Sequence, residues 1–305
     1  MPDALKLGTR GSPLALAQAH LAAAAIALAN GWDGSRIEIV PVTTTGDRVQ
    51  DRPLSEIGGK ALWTKELDRA LAAGEVDFCV HSMKDVESDR PAEFAIAAIL
   101  PRADVRDRLI GAGSIAALRD GAIVGTSSPR RAAQLLGLRP DLQIVPFRGN
   151  VESRLRKVRE GEVDASLLAA AGLERLGIHA GAAISVDQML PAPGQAAIGI
   201  ECRSGDFSVL EALDAANCRD SYDCVLIERA FTRALGGTCA SPVAALAELA
   251  GERVSFKAAL FSADGRDWTS DERILGRTDA DGAAALASAM LGRSPASVRQ
   301  LFESA

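Results

Sequence analysis

Three short fragments occur twice along the chain, each time in the same order. Ser12-Pro13-x-x-x-Ala17-Gln18 returns as Ser128-Pro129-x-x-x-Ala133-Gln134. Ile39-Val40-Pro41-Val42 returns as Ile144-Val145-Pro146-Phe147, and Gly74-Glu75-Val76-Asp77 as Gly161-Glu162-Val163-Asp164. One such match is within reach of chance; three in order point to a duplicated unit. Each copy reads strand, helix, strand, helix, strand. Residues 6–9 lead into a helix with Ser12 at the N-cap and Pro13 next, and residues 122–125 lead into one with Ser128 and Pro129 in the same places, the residues preferred there. Strands alternating with helices predict a mostly parallel sheet with right-handed crossovers. The polar stretch 51–60, with Gly58-Gly59, reads as a mobile loop.

The second copy runs to about Pro193, and residues 194–201 then read as a further strand, placed to return to the first sheet. Two crossings between paired α/β domains predict a hinged cleft, so the pattern resembles that of type II periplasmic binding proteins. From Asp220 the character changes: an amphipathic helix over 225–235, Gly236-Gly237, two strand-like runs over 243–249 and 254–261, a hairpin signal at Ala263-Asp264-Gly265-Arg266 and an Ala-rich helix over 279–291. This is a small α+β domain. The expected division is 1–101 with 195–216, then 102–194, then 217–305.

A net charge of −6 argues against general nucleic-acid affinity. Residues 125–160 nevertheless hold eight basic residues against Asp141, Glu152 and Glu160. A local basic field in an acidic chain suits a small anion better than a polymer. Five cysteines without metal-like spacing suit reduced thiols in a cytoplasmic protein, and no metal is expected. Residues 14–29 have the look of a signal peptide, but Gln18 and His20 interrupt them and the pattern recurs deep in the chain; they read as a domain helix. No other segment is long and apolar enough to span a membrane.

Residues 76–86 begin as a buried strand and end in His81, Ser82, Lys84 and Asp85. A strand that stops in such a cluster puts polar groups at the carboxyl edge of a sheet, where open α/β folds bind ligands. The two Ser-Pro helix starts offer backbone N–H groups and a positive dipole end to an anion. Arg10 precedes the first; Thr126, Ser127, Arg130 and Arg131 surround the second. Arginine's planar fork matches a carboxylate in two parallel hydrogen bonds, and the bland alternative is a set of ordinary surface charges. Phosphate-loop and serine-hydrolase signatures are absent. Cys239 lies in a glycine-rich turn after a helix, where exposure and nucleophilic use are both open to it. Cys79, Cys202, Cys218 and Cys224 lie in or beside apolar segments and read as small buried residues.

Together, the motifs Val80-His81-Ser82-Met83-Lys84-Asp85-Val86, Gly125-Thr126-Ser127-Ser128-x-Arg130-Arg131, Arg148-Gly149-Asn150 and Gly194-Gln195 resemble the porphobilinogen deaminase family over nearly the whole chain. The resemblance implies a three-domain enzyme that joins four porphobilinogen units head to tail, losing ammonia each time. It implies a dipyrromethane cofactor on a cysteine thioether, here Cys239. It implies that Asp85 is the catalytic aspartate and that Lys84, Ser12, Thr126, Ser127, Ser128, Arg130 and Arg131 bind the cofactor with it. Arg10, Gln18, Lys60, Arg148, Gly149, Asn150, Arg154, Arg175 and Gln195 are the implied substrate contacts, the arginines matching the acetate and propionate groups. A monomer without nucleic-acid or membrane partners is expected. The chain departs from the family at Thr238, Ala240 and Ser241 around the cysteine, at Glu56 where some members have lysine, and at Ala196 where glycine is usual. A non-catalytic periplasmic-type carboxylate binder is the rival reading, and it leaves Cys239 and the third domain without a task. A nucleic-acid binder lacks aromatics for stacking, which make up only 4% of the chain.

Overall fold

The computed structural model describes residues 4–43, 64–236 and 241–303. Lys60, Glu56 and the 51–60 loop lie outside the described residues, as do Thr238, Cys239 and Ala240. By its contacts the chain falls into two compact units, Met1–Ala103 with Ala196–Asp223 and Asp104–Gln195 with Cys224–Ala305.

In the first unit, β1 (Leu5–Arg10) leads into α1 (Pro13–Asn30), capped as expected by Ser12, whose Oγ accepts from the Ala15 N–H at 3.3 Å. Then come β2 (Ile37–Val42), α2 (Lys65–Ala72), β3 (Phe78–Ser82), a 3₁₀ turn (Met83–Asp85) and β4 (Phe94–Ile99). α1 is long and apolar enough to cross a membrane by length and composition. Here Ala19, Ala22 and Ile26 bury its inner face against Leu5, Leu7 and Phe78, so it is a domain helix.

In the second unit, β5 (Asp107–Ile110) precedes β6 (Ile123–Gly125), α3 (Pro129–Leu138), β7 (Gln143–Val145), α4 (Val151–Arg159), β8 (Ala165–Ala169), α5 (Ala170–Arg175) and β9 (Ala182–Ala183). Ser128 caps α3 through the Arg131 N–H at 3.4 Å. The chain then returns to the first sheet as β10 (Ile198–Arg203), antiparallel to both β3 and β4. The two sheets have matching orders, β2-β1-β3-β10-β4 and β7-β6-β8-β5-β9, with parallel pairing around β1 and β6. The duplication read from three fragments is therefore a duplication of topology. One expectation needs correcting: the return strand starts at Ile198, not at residue 194. Gly194 (φ +71°) and Ala196 (φ +69°) turn the backbone into the left-handed region, and the Gln195 N–H closes a turn on Ala192 O.

After α6 (Phe207–Asp214) and α7 (Arg219–Ala234), an antiparallel sheet β11-β12-β13 (Val243–Ala250, Arg253–Phe261, Trp268–Gly276) packs with α8 (Ala280–Arg293) and α9 (Ala296–Glu303). Phe231 and Phe256 meet edge to face, 5.3 Å between centroids, inside a core that includes Met290 and Phe302. The strand after the hairpin and the last helix go beyond the sequence reading. Fully buried Glu228 on α7 accepts the Ala247 N–H at 2.8 Å and the Gly194 N–H at 2.6 Å, tying β11 to the turn before β10.

Candidate active site

β1 and β3 are parallel neighbours, so their carboxyl ends open side by side. Arg10 ends β1, Ser12 starts α1, and His81 and Ser82 end β3. The turn that follows is bolted down by Met83. Its N–H donates to Ala197 O at 3.0 Å, and its thioether fills space that exists only because position 199 is glycine. A Cβ there would meet the Met83 sulfur. Lys84 and Asp85 are left half-buried on the anchored turn. A pocket at this sheet end is lined by Arg10, Ser12, Gln18, His81, Ser82 and Asp85, among others. Gln18 was expected to touch substrate. It is only 3% exposed and pairs with the Ser82 hydroxyl, Nε2 at 2.9 Å and Oε1 at 3.1 Å, so in the structure it braces the end of β3.

Behind the pocket lies an ionic network absent from the sequence reading. His81 Nε2 is 3.1 Å from Oε2 of Glu201, which is fully buried on β10. Arg90 donates to Glu201 from Nε and Nη2, both at 2.8 Å, and also to Asp68 at 2.6 and 3.1 Å. Burial by itself would raise the Glu201 carboxyl, but His81 and Arg90 override it and hold it at about 2. The strand backing the Asp85 turn thus carries a permanent buried anion.

At the equivalent edge of the second sheet, Ser127 clasps the next loop. Its Oγ donates to Phe147 O at 3.1 Å and accepts the Phe147 N–H at 2.9 Å. Thr126 Oγ1 accepts the Ser128 N–H at 3.2 Å. Half-buried Arg148 follows; then Gly149, at φ +118°, turns the chain into α4, which Asn150 caps by accepting the Ser153 N–H at 2.9 Å. Arg154 Nε donates to Gly149 O at 2.9 Å. Burial lowers the pKa of Arg175 on α5.

Arg130 and Arg131 differ most from expectation. Neither is an ordinary surface charge, the bland alternative for such arginines: they are 3% and 6% exposed. Both hold Asp107: Arg130 Nη2 reaches Oδ2 at 2.8 Å, and Arg131 Nη2 and Nε reach Oδ1 and Oδ2 at 2.7 and 3.2 Å. Arg130 Nη1 donates to Leu190 O and Arg131 Nη1 to Leu167 O. Burial would raise the Asp107 carboxyl, but the Arg131 and Arg130 charges hold it well below the usual carboxylate range. Gln195, expected at the substrate, is 1% exposed and gives its Nε2 to Asp107 Oδ1 at 2.9 Å and Val105 O at 2.7 Å. It supports the arginine pair from behind. Asp107 sits in the charged run Arg102–Arg108, where nothing in the spacing separates it from surface neighbours.

Cys79, Cys202 and Cys224 are buried as expected, and Cys218 is partly exposed. Burial raises the Cys79 thiol well above its usual value and Cys202 to about 12, so both stay protonated and inert.

Each sheet has arginines and a capped helix start at its carboxyl edge, and the first also bears a half-buried aspartate, which is the class of α/β fold with anion-binding sheet ends. Residues 5–211 match the family model described as "Porphobilinogen deaminase, dipyromethane cofactor binding domain", and residues 222–291 match "Porphobilinogen deaminase, C-terminal domain". A porphobilinogen deaminase of Sphingopyxis alaskensis is 53% identical, over 98% of this chain and 96% of the relative. One of Paracoccus denitrificans is 47% identical, over 97% of each. The chain belongs to the porphobilinogen deaminase family. Among solved structures, the second substrate binding domain of a putative amino acid ABC transporter from Streptococcus pneumoniae is 16% identical, with a TM-score of 0.43 over 70% of this chain and 91% of that one. The periplasmic VFT2 domain of Bordetella pertussis BvgS is 17% identical, with a TM-score of 0.41 over 70% and 86%.

Proposed function

We propose that this transferase of porphyrin biosynthesis joins four porphobilinogen units head to tail into hydroxymethylbilane at the Asp85 turn, releasing ammonia at each joining. In each joining the aminomethyl C–N bond breaks with its electron pair leaving on nitrogen. A C–C bond forms from the free α-carbon of the terminal pyrrole already held, which gives up its proton; after four joinings one water cleaves the tetrapyrrole free and supplies its hydroxyl. Asp85 stabilises the positive charge that develops on the pyrrole as ammonia leaves, and accepts pyrrole N–H hydrogen bonds. The observation that carries this reading is the pocket at the end of β3, where Asp85 stands with Arg10, Ser12 and Ser82. Arg10, Arg148, Arg154 and Arg175 bind substrate carboxylates, with Lys60, Gly149 and Asn150 beside them, and Lys84 binds the cofactor.

Family membership brings a dipyrromethane cofactor. When bound, it supplies the pyrrole end to which substrate units are joined. The residues fit such a group: Arg130 keeps a buried Nε with no partner among the described residues, and Arg130 and Arg131 stand at the start of α3 beside the Ser128 cap. Cys239 anchors it through a thioether, since a thiolate forms a stable bond to an electrophilic carbon. The parts 1–101 with 195–216, 102–194 and 217–305 then divide the work into catalytic turn, carboxylate binding and cofactor anchoring. A cytoplasmic monomer without nucleic-acid or membrane partners completes the proposal; the net charge of −6 argues against general nucleic-acid affinity. Intact mass is the test. The parent chain should be heavier than its sequence by the dipyrromethane, while Cys239→Ser should purify at the bare sequence mass and be inactive. Added mass on Cys239→Ser would move the anchor elsewhere.

A further inference from the structure

Two guanidinium groups side by side in a protein interior repel each other and lack water to screen them, so their geometry needs a built-in counter-charge. Asp107 supplies it from a fixed place. It opens β5, between β8 and β9, and its backbone is paired on both sides: Asp107 opposes Ala169 on β8, and its carbonyl accepts the Ile184 N–H at 2.9 Å. Its two oxygens accept four N–H groups, two from Arg131, one from Arg130 and one from Gln195, which exhausts a carboxylate's ordinary capacity. Each guanidinium has five N–H donors. Arg131 spends three on Asp107 and Leu167 O, and Arg130 two on Asp107 and Leu190 O. Both side chains are locked, yet each keeps donors to give.

We propose that Asp107 is the positioning residue of the Arg130–Arg131 pair, fixing both guanidinium planes and cancelling one of their two charges to leave a +1 site for a single ligand carboxylate. The proposal rests on the reading that this pair holds the cofactor. Without Asp107 a ligand carboxylate would have to order two long, mutually repelling side chains as it binds, and that rotamer entropy would weaken it. Gln195 extends the same support, holding Oδ1 of Asp107 against the Val105 carbonyl.

The test uses the full-length Asp107→Ala chain, which opens a carboxylate-sized gap that formate can refill. Parent and variant are incubated with porphobilinogen in sodium formate, or in sodium chloride at the same ionic strength. Intact mass and melting temperature are then read. In chloride the fraction of variant molecules carrying the cofactor mass should fall roughly tenfold or more, the scale of one lost charge-assisted contact. Formate should raise both loading and melting temperature of the variant and leave the parent unchanged. Formate that restores melting temperature but not loading means the carboxylate only supports the fold, and overturns the proposal; so does full loading in chloride. If Asp107→Ala is insoluble in both salts, the isosteric Asp107→Asn decides. A soluble but unloaded Asn variant supports positioning, and a fully loaded or an insoluble one overturns it. Arg131→Leu, run alongside, isolates the underlying reading: a soluble, fully loaded Arg131→Leu removes the pair from cofactor binding whatever Asp107 does.

Discussion

Asp85 follows the end of β3 while Glu201 lies inside β10 opposite Cys79, and the two have opposite surroundings. Asp85 is half-buried on a turn lining the pocket, while Glu201 is fully buried and saturated by His81 and Arg90. The first is therefore available to a substrate and the second is not. Asp85→Asn keeps the size and removes the charge. Its single-turnover rate should fall by about 10²–10³, the usual cost of deleting one electrostatic stabiliser. Asp85→Glu keeps the charge but displaces it and should retain more. An Asn variant as fast as the Glu variant would take Asp85 out of the chemistry and make it a turn residue only. Glu201→Gln should instead act on stability: it leaves Arg90 with a weaker buried partner and should cost about 3–5 kcal/mol in urea unfolding at neutral pH. A loss under about 1 kcal/mol would place the Glu201 pair among ordinary surface bridges.

Among the described elements, the turn before β10 is the one where a residue other than glycine strains the backbone. Ala196 sits at φ +69°, where a Cβ crowds the carbonyl, and it is the only non-glycine residue with positive φ among those described. Ala196→Gly relieves that crowding while adding freedom to the unfolded chain. The two effects oppose each other, and the net should be a gain of up to ~1 kcal/mol, read as a higher urea midpoint with an unchanged slope. A lower midpoint would mean that the alanine methyl packs favourably enough to offset its strain. The 3₁₀ turn is the contrasting case: the Met83 sulfur over Gly199 fixes it without strain, so any side chain at 199 should displace Lys84 and Asp85 together.

For the whole molecule, Glu201 and Asp107 are buried carboxylates that contribute to the acid limb of stability. Both folded pKa values lie below the ordinary ones, so their contribution is complete above those ordinary values and is lost as pH falls through the folded values. For Glu201 the window runs from about 4.5 down to about 2; Asp107 acts in the same direction from 3.8 downward. An acid titration of the parent by circular dichroism should show cooperative loss across this range, with Glu201→Gln flatter there; equal slopes would exclude Glu201 from the acid limb. The twofold α/β topology, both Ser-Pro helix caps, the polar turn after β3 and the return to the first sheet were legible in the sequence, because capping, turn chemistry and periodicity act between near neighbours. The family resemblance was legible for the same reason, since its motifs are continuous. What only the tertiary structure decided is which charges and amides are buried. Arg130 and Arg131 look like solvated residues at a helix start, and only a carboxylate 23 residues earlier, brought across the sheet by β5, makes them interior. The partners of Gln18, Gln195 and Glu201 were out of reach of the sequence in the same way. A side chain's partner depends on which strands become neighbours, and local sequence carries no record of that.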